Sequence, residues 1–419
     1  MSKGSSDRLE VHSLLLMTAT MIGHVGNYVF HLLTGRMLPE AEYGLMIALF
    51  GAVNLILFPM TALQISLTRT VASLSSEHKQ AEIHALLKMW FVRSALFGLA
   101  GFGLLLVVSP GLTSFFGMTT IVPLLIAGLI PVLNLFLTLS GAALQGLQRF
   151  GVFSLRGAVL FTLRAALVSI CLILGYKVAG SGLAAHVMGM TCALGISLWG
   201  VRNVKPGSGP AKPSIPVITH SLTAFPILLA FSALMTADVI LIRSYMAEDL
   251  SGEFAQAATL ARMILWLPLP IAQVMFPKVV RLGAPSQVQK TTLFKALGYT
   301  LGLVVLALGG LWIAGDLIFE WLFGQPPSSR QSEWLKGIGL CMALLGPVYV
   351  VMQFELARNR IRRLLPLCAL SFIYVIWSWV GKLSPEEVIR FLLVATALSL
   401  LTAGRALAAE RDLQSDPSP

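Results

Sequence analysis

The chain has 419 residues, of which 56% are hydrophobic and 12% charged, and its formal net charge is +11. This balance excludes an ordinary soluble globular protein. A membrane-spanning helix needs roughly 20 apolar residues, and about a dozen such stretches occur. They predict spans near 11–33, 43–67, 89–109, 120–142, 155–176, 181–201, 217–242, 254–276, 293–314, 335–355, 364–381 and 386–404. The predicted fold class is therefore all-α: a polytopic membrane bundle of about twelve helices.

The first span carries a stripe of polar side chains on one helical face. Thr20, His24, Asn27, His31 and Thr34 follow one another at spacings of 4, 3, 4 and 3 residues, which is the periodicity of one helix face. Such a stripe is costly against lipid, so it must face protein or water. It either makes hydrogen bonds between helices, or it lines a cavity in which a histidine takes up a proton.

The second span begins an internal repeat. Glu40–Val71 aligns without gaps on Asp249–Val280, 209 positions later. The match includes Pro59 on Pro268, and Gln64 on Gln273 shares the same offset. A duplicated membrane unit predicts two related lobes, and transporters commonly bind their substrate between such repeats.

Proline recurs inside the spans, and three positions stand out. Each proline removes a backbone donor and bends its helix. Pro59 and Pro268 occupy equivalent positions of the repeat, and Pro270 follows closely. These residues are either ordinary packing kinks, which membrane helices tolerate, or hinges for a rocking motion of the lobes.

The linker between the predicted lobes is rich in Pro, Gly and Ser and follows the sixth span. Such a composition is typical of a flexible connector. The predicted organisation is an N-lobe at 1–204, a cytoplasmic linker at 205–216, a C-lobe at 217–409 and a disordered tail at 410–419. Because each lobe holds six spans, the lobes are expected to be related by a pseudo-twofold axis along the membrane normal.

Basic residues are distributed unevenly between the loops. With a cytoplasmic N-terminus and alternating loops, 21 Lys and Arg fall on the cytoplasmic side and 7 on the other, while Arg164 and Arg262 remain inside spans. This is the positive-inside rule. It predicts that both termini are cytoplasmic, and it explains the net charge without a nucleic-acid partner. Arg164 is expected to extend toward the cytoplasmic headgroups.

Span eight presents a second polar face, formed by Thr259, Arg262, Trp266 and Gln273. A guanidinium inside a span is expensive unless it is paired or hydrated, and its fork suits phosphate and carboxylate. Arg262 therefore either pairs with Asp238 or with helix-end carbonyls, or faces a central cavity and binds an anionic group. Asp238 either neutralises Arg262 or is a proton or cation site.

The sequence carries no enzyme signature. It has neither a Walker loop nor an HExxH motif, and its four cysteines lack metal-ligand spacing. We therefore predict no catalytic residues, no metal and no cofactor.

Three stretches resemble a known family. They are Gly35–Gly44, Leu144–Phe150, and a discontinuous third stretch made of Asp238–Leu241, Ser251–Ala257, Ala261–Arg262 and Phe276–Lys278. The chain resembles the polysaccharide-biosynthesis flippases of the multidrug/oligosaccharidyl-lipid/polysaccharide exporter superfamily.

The resemblance implies a flippase in the bacterial inner membrane. It implies a V-shaped pair of six-helix lobes that moves undecaprenyl-diphosphate-linked sugars to the periplasmic leaflet by alternating access, often coupled to an ion gradient. Membrane lipids and polysaccharide polymerase or assembly proteins are the implied partners. The implied substrate-binding residues are Arg262 for the diphosphate or an acidic sugar, with His24, Asn27, His31, Gln273 and Trp266 along the headgroup path; the implied coupling site is Asp238 or His24.

Two other functions remain open from the sequence. One is a multidrug or cation antiporter of the same superfamily, which should prefer acidic and aromatic groups in its cavity. The other is a non-transporting membrane subunit of a polysaccharide synthase, in which Arg262 and the first-span stripe would be dispensable for translocation.

Overall fold

The computed structural model describes residues 21–23, 25–77, 79–204, 215–272, 275, 286–358 and 360–412, and of 215–222, 286–288 and 406–412 it describes the backbone alone. Within these ranges the chain is helical, with turns and bends between helices and no strand. Eleven helices of the described part are long and apolar enough to cross a membrane. The predicted all-α, multi-span fold class is confirmed.

The helices follow one another with short connections. They are α1 (25–37), α2 (Glu40–Ser76), α3 (Gln80–Phe115), α4 (Val122–Gly146), α5 (Phe150–Ile173), α6 (Ala179–Val201), α7 (Ile215–Tyr245), α8 (Glu248–Trp266), α9 (Ser286–Phe323), α10 (Ser329–Ala357), α11 (Leu365–Val380) and α12 (Pro385–Asp412). A short 3₁₀ turn, Ile361–Leu364, precedes α11.

The chain forms two compact units, Met1–Phe225 (unit 1) and Pro226–Pro419 (unit 2). The boundary falls within α7. The linker predicted at 205–216 lies outside the described residues up to position 214, as does the predicted tail from position 413 onward.

Successive helices of unit 1 run in alternating directions. At one end an apolar cluster joins Val71 of α2, Leu86 of α3, Ala143 of α4 and Val204 after α6. At the other end the Ala179 amide, at the start of α6, donates to Glu42 Oε2 near the start of α2, at 2.7 Å. Helices α2, α4 and α6 are therefore parallel, and α3 is antiparallel to them.

Unit 2 has its core around α10. Within the apolar stretch of α10, 78% of the residues are buried, against 72% for α7 and 67% for α8, whereas α9 buries 17%. The local sequence sets where α10 begins. Ser328 and Gln331 form a capping box, in which each side chain accepts a hydrogen bond from the other residue's backbone amide, at 3.2 and 2.9 Å.

The two copies of the internal repeat begin alike, one residue out of register, and continue differently. Helix α2 follows Pro39 (φ −54°, ψ 147°), and α8 follows Ala247 (φ −57°, ψ 145°), so the chain enters both helices in the same backbone conformation. Helix α2 then continues through Pro59 without a break. Helix α8 ends at Trp266, and a turn at Leu267 and Pro268 precedes a short helical segment at 269–272.

Candidate functional site

Unit 2 holds a buried ion pair between adjacent helices. Arg262 on α8 places Nη2 in hydrogen-bonding contact with Asp238 Oδ1 on α7, and its Nε–H donates to the Met235 carbonyl at 2.8 Å. Arg262 is 8% exposed and Asp238 1% exposed. The sequence left open pairing with Asp238 or with helix-end carbonyls; the contact with Asp238 is present, and the carbonyl that accepts from Arg262 lies inside α7 rather than at a helix end.

One oxygen of this pair lacks a partner among the residues that the structure describes. Asp238 Oδ2 is buried and has no hydrogen bond within the described part of the chain. Separating a buried charge from its ionic partner is strongly unfavourable, because neither charge is then compensated. Asp238 can lose Arg262 at low cost only when it gains a proton, and Arg262 can leave only toward another anion.

The other residues of the polar face predicted on span eight lie in different surroundings. Thr259 is buried, and its hydroxyl donates to the Ala255 carbonyl one turn earlier, at 2.7 Å. Trp266 is 36% exposed at the end of α8. Gln273 lies outside the described residues.

The polar stripe of the first span is described from Asn27 onward; Thr20 and His24 lie outside the described residues. His31 is 9% exposed, and Thr34 is fully buried with its hydroxyl donating to the Phe30 carbonyl at 2.8 Å. Asn27 is half-buried and accepts a hydrogen bond through Oδ1 from Arg164 Nη2. His31 and Thr34 are therefore buried within unit 1, and Asn27 is partly exposed while it contacts Arg164.

Arg164 on α5 is the centre of a second polar cluster. Its Nη2 contacts Asn27 Oδ1 on α1, and its Nη1 lies 3.1 Å from His186 Nδ1 on α6. The guanidinium carbon lies 3.8 Å from the centroid of the Phe30 ring, a cation–π contact. Arg164 is 5% exposed. The expectation that Arg164 extends to the headgroups is wrong, because its hydrogen bonds hold it inside the unit.

Glycines allow these three helices to approach closely. A Cβ at Gly26 of α1 would lie 2.9 Å from the backbone of Phe161 on α5, and one at Gly189 of α6 would lie 2.6 Å from the Leu160 carbonyl oxygen. Both distances are shorter than real Cβ contacts. Small residues at helix crossings are how membrane helices pack backbone to backbone, and here they bring Asn27 and His186 within reach of one arginine.

The sequence interpretation missed Arg164 and His186 as a pair, although a signal for them exists. Helices α5 and α6 form a hairpin around Gly175, which has φ +90°. Arg164 and His186 each lie 11 residues from that glycine. In an antiparallel hairpin, residues that are equally far in sequence from the turn lie at the same level along the two helices. Two isolated polar residues placed in this way are therefore candidates for contact.

The predicted hinge prolines lie in different surroundings. Pro59 is buried inside the continuous helix α2. Pro268 is buried, and Pro270 is exposed, at the break that follows α8. The helix is interrupted at Pro268 and continues at Pro59, so the two equivalent prolines of the repeat differ in their effect on the backbone.

The described part of the chain contains no group of three or more His, Cys, Asp or Glu side chains that could bind a metal ion. The four cysteines, Cys171, Cys192, Cys341 and Cys368, form no disulfide.

The fold and its buried polar clusters define a multi-pass helical membrane protein. The sequence matches the family described as polysaccharide biosynthesis protein over residues 12–282, and the chain belongs to that family. The family indicated by the three resembling stretches is confirmed. A comparison with curated proteins found no match.

Solved structures share the fold at low sequence identity. The inward closed conformation of the lipid II flippase MurJ is 13% identical with a TM-score of 0.72, covering 94% of this chain and 87% of that one. An inward-facing multidrug resistance MATE family transporter of the MOP superfamily is 11% identical with a TM-score of 0.69, covering 96% and 99%. The MATE multidrug transporter DinF-BH is 15% identical with a TM-score of 0.70, covering 96% and 95%.

Proposed function

We propose that this protein is a flippase that moves a polyprenyl-diphosphate-linked oligosaccharide across the bacterial inner membrane by alternating access, without chemical conversion of the lipid. The observation that carries the proposal is the match to the polysaccharide biosynthesis family over residues 12–282. The fold is shared with flippases and with multidrug transporters, so it is compatible with this cargo and does not by itself select it.

The buried charges favour an anionic cargo over a cationic drug. In the part of the chain that the structure describes, two carboxylates are buried, Asp238 and Glu355. Asp238 contacts Arg262, and Glu355 Oε1 lies 3.7 Å from Arg363 Nη1. A cation antiporter needs a buried carboxylate that is available to its substrate, and both of these already face an arginine.

We assign the anionic headgroup to Arg262. In the resting state Asp238 neutralises the guanidinium; during transport a phosphate or acidic sugar takes the place of the carboxylate, and Asp238 takes up a proton. The guanidinium fork suits a phosphate, because two of its N–H groups can donate to one phosphate in parallel. His24 is the alternative coupling residue. Asn27, His31, Gln273 and Trp266 complete the proposed substrate path with His24.

We assign the bending of the helices to the prolines of the repeat. Pro268 and Pro270 stand at a break in the helix, which supports a hinge in unit 2, and Pro59 is the equivalent position of unit 1. Both termini are proposed to be cytoplasmic, because the basic loops then lie inside. A polysaccharide polymerase or assembly protein is the proposed partner that uses the translocated lipid.

The test is complementation in a strain that lacks the gene. Arg262→Ala should abolish surface polysaccharide and cause lipid-linked oligosaccharide to accumulate at the cytoplasmic leaflet. The matched control is Arg330→Ala, because the Arg330 side chain is 61% exposed; this variant should export normally. Membrane levels of both variants are compared by immunoblot. Normal export by Arg262→Ala at normal abundance would remove the assigned headgroup site, and normal export by the deletion strain would refute the flippase.

A further inference from the structure

The guanidinium of Arg164 is buried, and the described part of the chain places no counter-charge beside it. Among the described residues no carboxylate lies within salt-bridge distance of it, and its two hydrogen-bonding partners are the amide of Asn27 and the imidazole of His186. Its Nε is buried and has no hydrogen-bond partner among the residues that the structure describes. A charge inside a membrane protein normally has an ionic partner, because desolvation is otherwise uncompensated. Among the described residues the cluster therefore holds one positive charge and no negative charge that balances it.

The hydrogen bonds of Arg164 also determine which atoms of Asn27 and His186 remain as donors. A guanidinium can only donate, so His186 Nδ1 must accept, and the neutral imidazole then carries its proton on Nε2. By the same argument Asn27 presents its oxygen to Arg164, which leaves its Nδ2 amide as a donor. Neither Nε2 of His186 nor Nδ2 of Asn27 has a hydrogen-bond partner in the described part of the chain.

Within the described residues the cluster therefore offers three N–H donors that lack acceptors, on Arg164 Nε, Asn27 Nδ2 and His186 Nε2, together with one positive charge. We propose that these three residues form an anion-binding site in unit 1. Asn27 and His186 are half-buried, so an anion can reach the site on their side, whereas Arg164 is buried. Phe30 covers the guanidinium at 3.8 Å, and Phe50 packs edge-on against His186 with ring centroids 5.3 Å apart.

The ligand is a compact anion that accepts hydrogen bonds. The aromatic rings restrict its size, and the few donors match a halide or a single phosphate group better than an extended polyanion. Such a group has two sources: an inorganic anion from solution, or a phosphate of the lipid cargo. The site rests on the geometry of unit 1 and does not depend on Arg262; only the second source, the lipid cargo, rests on the proposed function.

The experiment is thermal unfolding of the purified full-length protein in detergent, in a gluconate buffer. A ligand that binds only the folded state raises Tm, and the rise increases with the logarithm of 1 + [L]/Kd. Chloride, inorganic phosphate and a short-chain prenyl diphosphate are titrated separately. At least one should raise Tm of the wild type; a rise with chloride or phosphate identifies a solution anion, and a rise with the prenyl diphosphate alone identifies the cargo.

Variants test whether the rise in Tm comes from anion binding at this site. Arg164→Gln should abolish the rise in Tm, and Asn27→Leu, which leaves the guanidinium in place, should weaken the affinity about tenfold, as expected for the loss of one hydrogen bond to a charged group. Arg330→Gln is the control and should respond as the wild type does. The proposal is overturned if no anion raises the wild-type Tm, or if Asn27→Leu and a folded Arg164→Gln both bind with unchanged affinity. Because the readout is binding to purified protein, failure here is distinct from failure of polysaccharide export.

Discussion

Asp238 and Arg262 meet inside unit 2, one turn beyond the carbonyl of Met235 that also binds the guanidinium, and the second carboxylate oxygen of Asp238 remains without a partner among the described residues. Two charges are thus removed from solvent with only part of their hydrogen-bonding capacity used. Such a pair stabilises the fold less than its contact suggests, but the loss of either member is costly.

The ion pair should therefore show strong coupling in a double-mutant cycle. Asp238→Asn and Arg262→Met should each destabilise the protein by about 3–5 kcal/mol, because each leaves the other charge buried and uncompensated. The double variant should be more stable than the sum of the two losses predicts, by about 1–3 kcal/mol. The measurement is unfolding in detergent by circular dichroism. Additive losses would show that the two residues act independently.

The cation–π contact of Arg164 should be measurable through Phe30. Phe30→Leu keeps an apolar side chain but removes the ring face, and we expect a loss of about 1–2 kcal/mol on top of the change in packing. In an Arg164→Met background the same substitution should cost less, because no cation remains above the ring. Equal costs in the two backgrounds would assign the effect of Phe30 to packing alone.

Close helix contacts should make one glycine of α6 intolerant of a methyl group. Gly189→Ala places a Cβ 2.6 Å from the Leu160 carbonyl oxygen, so α5 and α6 must separate, at an expected cost of about 1–3 kcal/mol. The matched control on the same helix is Gly195→Ala, since a Cβ there meets nothing within 4 Å. That control should be neutral, or stabilising by up to about 1 kcal/mol. The measurement is thermal unfolding of both variants. A Gly189→Ala variant as stable as the wild type would contradict the close crossing of α5 and α6.

The capping box should set the stability of the start of α10. Ser328→Ala removes the acceptor for the Gln331 amide, and the expected loss is about 1 kcal/mol. Ser329→Ala is the control, because Ser329 is exposed and is the first residue of the helix. Hydrogen exchange of the first turn of α10 should accelerate in Ser328→Ala only. Equal exchange in both variants would show that the cap contributes nothing.

Hydropathy predicted the spans because a helix in lipid must be apolar along its whole length, and this requirement leaves a continuous signal in the sequence. It could not predict which side chains meet. The contact between Arg164 and His186 depends on how α5 and α6 are rotated about their axes, which apolar runs do not specify.

The repeat illustrates the same limit. Helices α2 and α8 begin one residue out of register in the repeat, since Glu40 aligns with Asp249 whereas α8 begins at Glu248. The break after Trp266 does not follow from the proline, because α2 continues through Pro59. The surroundings of the two prolines, and not their identity, decide whether the helix is interrupted.

The length of α3 has a consequence for how the protein responds to its lipid environment. Its 36 residues extend about 54 Å, whereas the hydrocarbon core of a bilayer is about 30 Å thick. Near its N-terminal third the Arg93 guanidinium lies 5.7 Å from the centroid of the Trp90 ring, and Trp and Arg are side chains that anchor a helix at the lipid headgroups. With one level anchored and apolar residues to spare beyond it, α3 should accommodate a thicker or thinner bilayer by changing its tilt rather than its depth.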